Sequence, residues 1–204
     1  MTFFRAVSFN EPALTVTGER VTLRLPQMAD FEEWAALREA SRDFLVPWEP
    51  TWPADDLSRA AYRRRLTAYA RDREAGSAYP FFVYRTSDDA LTGGITLSNI
   101  RRGVAQMGSV GYWCGRPFAR HGHTLAAVRA LSDFAFRTLG LHRLEAACIP
   151  DNAPSRRLLV KAGFAEEGFA QAYLKINGVW RDHVLFGLIS PLRAPEGPDE
   201  GVSV

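Results

Sequence analysis

The sequence is poor in the residues that build disulfide frameworks and metal sites. Its 204 residues include only two cysteines and four histidines. Cys114 and Cys148 form neither a CxxC pair nor a metal-ligand spacing, so we expect small buried side chains in a reducing compartment. The histidines are scattered and lack paired carboxylates at ligand spacing, so the sequence predicts no metal.

Two other features are missing. No apolar run approaches the roughly 20 residues of a membrane-spanning helix, and residues 1–12 lack the pattern of a signal peptide. The net charge of +2, from 25 basic and 23 acidic residues, is too small to predict nucleic-acid or membrane binding by itself. We therefore expect a cytoplasmic protein with no membrane partner.

What the chain does have is the composition of an ordinary globular protein. Hydrophobic residues make up 47% and charged residues 24%, enough to bury a sizeable core. We expect a single domain over residues 1–190. Residues 191–204 are rich in Pro, Gly and Glu, which predicts a flexible C-terminal tail.

Hydrophobic periodicity gives the order of elements. Alternation over residues 14–26 predicts a first strand, and helical spacing predicts helices over 27–44 and 57–74. Three strand-like runs, "YPFFVYR", "LTGGITLSNI" and "MGSVGYWC", indicate an antiparallel meander. Helix, strand and helix follow, and then a hairpin that turns at Asn177–Gly178. This is an α/β (α+β) pattern of seven strands and about four helices.

A stiff aromatic loop lies between the first two helices, in "VPWEPTWPADD". Its three prolines forbid a regular helix and hold Trp48 and Trp52 in place. We expect Trp48, Glu49 and Trp52 to bind the substrate, because a carboxylate there could dock an ammonium group. Packing of Trp52 over the helices is an equally good interpretation.

The segment "GYWCGRPFARHGHTLAAVRAL" runs from a strand through a short loop into an amphipathic helix. The first N–H groups of a helix are unpaired and carry partial positive charge, so such a loop can hold a pyrophosphate. Arg116, Arg120 and His121 add charge nearby. By itself, a plain strand-to-helix connection fits this pattern as well.

The residues "YWCGRPFARHGHTLAAV" resemble the acetyl-CoA signature of GNAT acetyltransferases, which reads Gln or Arg, two residues, Gly, one residue, then Gly or Ala. Gly122 falls on the central glycine, while Ala119 and Thr124 depart from the flanking positions and Arg120 supplies a compensating charge. The resemblance implies acetyl-CoA as cosubstrate, bound by Ala119, Arg120, His121, Gly122, His123 and Thr124.

A second resemblance covers almost the whole chain. The segments "RDFLVPWEP", "GSAYPFFVY", "LSNIRRG", "LGLHRLEA", "PDNAPS" and "AGFAEEGFAQAYLKINGVWRDHVL" are similar to RimJ-type ribosomal-protein N-terminal alanine acetyltransferases. This implies the GNAT fold, a mixed and mostly antiparallel seven-stranded sheet splayed at its fourth and fifth strands. It also implies acetyl transfer to the N-terminal amine of a protein, with an Ala-starting ribosomal protein as partner.

The same resemblance implies roles for individual residues. The backbone of Tyr112, Trp113 and Cys114 would bind pantetheine and polarise the thioester carbonyl, and Asn152 and Ser155 match an "N-x-x-S" element that contacts the cofactor arm.

The family often has a tyrosine acid at the position of Leu159, which cannot donate a proton here. That leaves Ser155 or Tyr173 as the acid. The matching base position is Ala147, so the base would be Glu145 or Glu49.

Two rival functions stay open on the sequence. The chain could acetylate a small-molecule amine, or it could bind acetyl-CoA or the ribosome as an assembly factor without turnover. The run Arg63–Arg65 on the second helix allows a weak ribosome or RNA contact, although such a run is more often a solvated helix face.

Overall fold

The computed structural model describes residues 14–192, which form one eight-stranded sheet with helices on both faces. The strands are β1 (Thr15–Gly18), β2 (Val21–Arg24), β3 (Tyr79–Arg85), β4 (Leu91–Arg101), β5 (Met107–Cys114), β6 (Arg143–Cys148), β7 (Ala165–Ile176) and β8 (Val179–Ile189). The helices are α1 (Phe31–Ala40), the short α2 (Arg42–Leu45), α3 (Arg59–Glu74), α4 (His123–Asp133) and α5 (Ala153–Ala162). Residues 193–204, most of the predicted tail, lie outside the described residues.

The predicted first strand is two strands in the structure, so the sheet has eight strands and not seven. β1 and β2 pair in antiparallel register from Thr15↔Arg24 to Gly18↔Val21, across a turn at Glu19 and Arg20. Arg20 adopts a left-handed backbone with φ of 64°. No Gly or Pro cluster marks this turn, and apolar residues alternate on both sides of it, so the pattern predicts one strand over residues 14–26. The alternation does change phase, from Leu14 and Val16 to Val21 and Leu23, at the point where the chain turns.

Both faces of the sheet are covered. One core cluster joins the sheet to α4 and α5 through residues such as Leu131 and Leu159, and a second joins it to α1 and α3 through Trp34 and Tyr62. Each large side chain buried in this way contributes roughly 1.5–3 kcal/mol of hydrophobic stabilisation. Within residues 14–192, α4 and α5 therefore cover one face of the sheet, and α1 and α3 cover the other.

The sheet is splayed where its single parallel pair lies. Strand order is β1-β2-β3-β4-β5-β6-β8-β7, with every neighbour antiparallel except β5 and β6. In the described chain these two strands pair only at Met107↔Arg143, Gly108↔Leu144 and Ser109↔Glu145. Residues 110–114 then pair with β4 alone. This confirms the predicted splay, and it opens a cleft at the carboxyl end of both strands.

Both helices that follow these strands begin at the cleft. α4 follows β5 and α5 follows β6. Since β5 and β6 are parallel, their carboxyl ends lie at the same edge of the sheet, and so do the starts of the two helices. Among residues 14–192 no helix combines the length and apolar character needed to cross a membrane.

Candidate active site

The loop before α4 has the backbone shape predicted for an anion site. Gly122 caps α4 with φ of 85°, and Arg120 has φ of 66°. A Cβ placed on Gly122 would meet nothing within 4 Å, so glycine is needed there for its backbone conformation and not for space. The carbonyl of Gly122 accepts a hydrogen bond from the N–H of Ala126 at 3.0 Å. The N–H groups of the first turn have no partner within the helix and suit a phosphate.

His123 is the first residue of α4 and is 7% exposed. Among the described residues its Nδ1 is buried and has no hydrogen-bond partner. Burial lowers the pKa of His123, so the ring is neutral at neutral pH. A buried ring nitrogen without a partner is costly unless something binds it. This orphaned atom, next to Gly122, fits a site for the phosphate-bearing part of acetyl-CoA.

Three residues meet on the α4–α5 side of the cleft. The hydroxyls of Tyr112 on β5 and Ser155 on α5 are 2.8 Å apart. The Ser155 N–H donates to Oδ1 of Asn152 at 3.1 Å, so Asn152 is the N-cap of α5. Burial raises the pKa of Tyr112 to about 12, with a partly opposing effect from the Ser155 hydroxyl. Tyr112 is therefore a protonated hydroxyl held against Ser155.

The two cysteines also lie at the cleft. Burial raises the pKa of the Cys148 thiol, and a contact with the Ser155 hydroxyl partly offsets this. Burial likewise raises the pKa of the Cys114 thiol, and the hydroxyl of Thr124 partly offsets it. Both side chains are thiols and not thiolates at neutral pH. They behave as the small buried groups that the sequence predicts.

A cavity of about 300 Å³ opens on the side of α1 and α3. β5 contributes Gly111, Tyr112 and Trp113 to its wall, so this cavity and the Tyr112–Ser155 contact share one strand. Its other lining residues are Pro26, Trp34, Arg38, Glu49, Pro50, Arg65, Tyr69, Pro80, Phe81, Phe82, Gly94, Ile95 and Thr96. The arrangement provides a cofactor side and an acceptor side that meet at β5.

Glu49 lines this cavity, and its carboxylate accepts hydrogen bonds from two residues, Arg38 and Trp52. Arg38 donates to both carboxylate oxygens, at 2.8 and 2.7 Å, and Nε1 of Trp52 donates at 2.7 Å. The guanidinium of Arg38 stacks 4.0 Å from the ring of Trp52 and 5.0 Å from that of Trp113. Trp52 therefore positions Glu49 and packs against Arg38 of α1, while its predicted contact with the substrate stays a prediction.

The remaining predicted residues lie apart from the cavity. Trp48 is 37% exposed and does not line it. Tyr173 on β7 is 47% exposed, with its ring 5.7 Å from that of His183. Glu145, the other candidate base, pairs with Arg143 at 3.2 Å. The structure thus brings Glu49, Trp52, Tyr112 and Ser155 to the two sides of β5 and leaves Trp48, Glu145 and Tyr173 outside.

Arg38 is the residue that the sequence analysis missed. It is 5% exposed, although arginine is rarely buried without a partner. It follows Trp34 by one helical turn and so lies on the apolar face of α1, where a charged residue is unexpected. An arginine on the apolar face of a predicted helix could therefore have indicated a buried, functional residue. Tyr69 and Thr96, which also line the cavity, gave no signal of this kind.

The basic run on α3 is largely neutralised. Arg64 pairs with Asp55 at 2.6 Å and Arg65 pairs with Asp56 at 2.7 Å. Charges paired in this way add little to the field that would attract nucleic acid. A ribosome or RNA contact through this helix stays a prediction. Within residues 14–192 no group of three or more His, Cys, Asp or Glu side chains is placed to hold a metal ion.

A helix-start anion loop beside a splayed parallel strand pair, with a second cavity across the strand, defines the class of CoA-dependent acyltransferases. Comparison with known proteins identifies the family within that class. The family model described as "Acetyltransferase (GNAT) domain" matches residues 20–165. The chain belongs to the GNAT acetyltransferase family, and it is an N-acetyltransferase whose cosubstrate is acetyl-CoA.

Individual relatives are similar over most of their length. The Bacillus subtilis protein named "Probable N-acetyltransferase YjcK" is 36% identical over 85% of this chain and 96% of its own. The Escherichia coli [Ribosomal protein uS5]-alanine N-acetyltransferase is 32% identical over 89% of this chain and 94% of its own. Mycobacterium smegmatis RimJ, solved in complex with CoA-disulfide, matches with a TM-score of 0.83 and 31% identity, covering 87% and 88% of the two chains.

Proposed function

We propose that the chain acetylates the N-terminal amine of a protein that begins with alanine, and that a ribosomal protein is its natural acceptor. The observation that carries this proposal is the cavity on the acceptor side of β5, with a held carboxylate, Glu49, in its wall. The relative from Escherichia coli that is named for the alanine of ribosomal protein uS5 supports the choice of acceptor. A ribosomal acceptor would place the enzyme in the cytoplasm.

Glu49 suits the binding of an ammonium group. A carboxylate offers about four acceptor positions. Among the described residues, Arg38 and Trp52 donate three hydrogen bonds to it, which leaves about one position. Its side chain is 20% exposed, so that position can be reached by a substrate. We assign to Glu49 the binding of the acceptor amine in its ammonium form and the acceptance of its proton.

The ionisation of amines favours an N-terminus over a lysine in a site whose proton acceptor, Glu49, is already paired with Arg38. An α-amino group, with a pKa of roughly 7.7–8.0, is about one-tenth neutral at pH 7. A lysine, with a pKa near 10.4, is neutral in about four molecules in ten thousand. Because only the neutral amine attacks, an enzyme whose carboxylate is already occupied by Arg38 depends on an acceptor that loses its proton easily.

The reaction then follows from the two sides of β5. The neutral amine attacks the thioester carbonyl directly, and those N–H groups of residues 110–114 that do not pair with β4 stabilise the oxyanion. Attack forms the C–N bond and Glu49 accepts the proton of the amine. The C–S bond then breaks as the carbonyl re-forms, and the thiolate takes a proton from Ser155. We choose Ser155 over Tyr173 because Ser155 lies in the cleft, whereas Tyr173 is exposed on β7.

The acceptor can be identified by measuring thiol release from acetyl-CoA with matched peptides. The peptides share one sequence and begin with Ala, Ser or Met, and a fourth has a blocked N-terminus and an internal lysine. We expect the highest kcat/KM with Ala. Turnover with small amines alone would overturn the proposal in favour of a small-molecule acceptor, and saturable acetyl-CoA binding without turnover would overturn it in favour of an assembly factor.

The role of Glu49 is tested by Glu49→Gln. We expect the KM for the Ala peptide to rise about ten-fold or more, equivalent to about 1.4 kcal/mol of lost binding, with the KM for acetyl-CoA unchanged. Glu39→Gln is the matched control, since Glu39 forms an ion pair with Arg42 that is exposed and outside the cavity. Equal effects of the two changes would contradict the assignment.

The assignment of the acid is tested by Ser155→Ala and Tyr173→Phe. Loss of a general acid costs about 100-fold or more in rate. We expect that loss with Ser155→Ala and less than a two-fold change with Tyr173→Phe. The reverse pattern would assign the acid to Tyr173.

A further inference from the structure

The hydroxyl of Tyr112 is placed to act on Ser155. Its oxygen lies 2.8 Å from Oγ of Ser155, across the cleft between β5 and α5. The N-cap contact with Asn152 fixes the backbone of Ser155, so the serine side chain has a defined position at the start of the helix. Tyr112 sits in the part of β5 that pairs with β4 alone, next to the open edge of the splay. The contact therefore lies at the open edge of the splay.

A serine that gives up its proton alone leaves a buried alkoxide, which is costly in a site of low dielectric. A second hydroxyl at hydrogen-bond distance removes this cost, because it can return a proton as the first one leaves. A phenol is a stronger acid than an alcohol, and among the described residues the Tyr112 hydroxyl has its hydrogen bond with Ser155. The Tyr112 side chain is half-buried at the cleft, so water there can reprotonate its hydroxyl.

We propose that Tyr112 and Ser155 form a relay of two hydroxyls that delivers a proton to the sulfur of CoA. As the C–S bond breaks, the Ser155 proton moves to the sulfur and gives the free thiol. The Tyr112 proton moves to Oγ of Ser155, and the phenolate regains a proton from water in the cleft. The proton lost by the acceptor amine balances this last step. Tyr112 is thus a positioning residue that acts through Ser155, and the proposal rests on the assignment of Ser155 as the acid.

The test uses the single-turnover rate of acetyl transfer in Tyr112→Phe, Ser155→Ala and the double variant. Tyr112→Phe keeps the ring and removes only the hydroxyl. We expect it to lower the rate about ten-fold or more, without changing the KM for acetyl-CoA. The double variant should be no slower than Ser155→Ala alone, because residues that act as a unit are not additive. Tyr79→Phe, a half-buried ring packed against Phe134, is the control and should keep the wild-type rate.

A solvent isotope measurement separates a relay from a loss of packing. The deuterium effect on the single-turnover rate should fall in Tyr112→Phe, because one of two moving protons has been removed. A rate within two-fold of wild type, or effects of the two single changes that multiply, would overturn the relay. If Ser155→Ala keeps the wild-type rate, both the relay and the acid assigned above are wrong. If only Ser155→Ala is slow, the relay alone is wrong.

Discussion

At the scale of single residues, Gly122 and Gly76 share a backbone conformation in two different places. Both have positive φ, 85° and 65°, and neither would place a Cβ within 4 Å of another atom. Alanine at either position should cost about 1 kcal/mol through the left-handed backbone. Only Gly122→Ala should also raise the KM for acetyl-CoA, by about ten-fold, because Gly122 shapes the start of α4.

Measuring thermal midpoints and the KM for acetyl-CoA in both variants checks this prediction. Gly76 follows α3 and does not line the cavity, so Gly76→Ala reports the backbone cost alone. A KM that rises equally in both variants would show that loss of stability, and not the shape of the loop, causes the effect.

Residue roles were predictable only where a local pattern carries them. Gly122 and Asn152 belong to short motifs that mark the start of a helix, and the structure places them at the starts of α4 and α5, while their contacts with the cofactor stay predictions. The Tyr112–Ser155 contact joins residues 43 positions apart, and the Arg38–Glu49 pair joins residues 11 positions apart across α2. Such pairs depend on how strands and helices pack, and neither spacing nor composition encodes them.

At the scale of elements, the pairing of β4 with β5 fixes one wall of the acceptor cavity. Trp113 lies across Gly94, where an added Cβ would stand 2.3 Å from the indole Nε1. Gly94→Ala must therefore displace the indole from its place beside Arg38. We expect the KM for the Ala peptide to rise about ten-fold and the thermal midpoint to fall, with the KM for acetyl-CoA unchanged.

Gly111→Ala provides the comparison for this change. Gly111 lines the same cavity, but a Cβ there would meet nothing within 4 Å. Its thermal midpoint should stay at the wild-type value. If Gly94→Ala also leaves the midpoint and the peptide KM unchanged, the indole does not need its present position.

Most elements could be predicted, and the failures have a physical cause. The β7–β8 hairpin turns at Asn177 and Gly178 with φ of 43° and 79°, which confirms the prediction from the Asn-Gly pair. The β1–β2 turn carries its positive φ on Arg20, a residue type that gives no turn signal. Periodicity therefore found the strands but missed the reversal between the first two.

At the scale of the whole molecule, exposed ion pairs make stability depend on pH. Hydrogen bonds from arginine partners hold the pKa values of Glu39, Asp55, Asp88 and Glu167 below their ordinary values of 4.5 and 3.8. A carboxyl whose folded pKa is depressed contributes stability above its unfolded pKa and loses it as pH falls through the folded pKa. Acidification from about pH 6 to about pH 3 should therefore lower the thermal midpoint.

Salt provides the control for this prediction. All four carboxyls are at the surface, so added salt should weaken their ion pairs and flatten the dependence of the midpoint on pH. A midpoint that stays constant on acidification at low salt would contradict the role given to these pairs.

The short parallel ladder between β5 and β6 has a mechanical consequence. Within the sheet it joins two halves, β1–β5 and β6–β8, at three residue pairs in the described chain. A cosubstrate lying in the splay would contact both halves and act as a wedge that fixes their angle. At about 100 times its Kd it would stabilise the fold by about 2.7 kcal/mol. When the cosubstrate binds, amide exchange should slow most at residues 110–114 and 146–148. The sheet would then become more rigid between β5 and β6 on binding and less rigid on product release, once in each turnover.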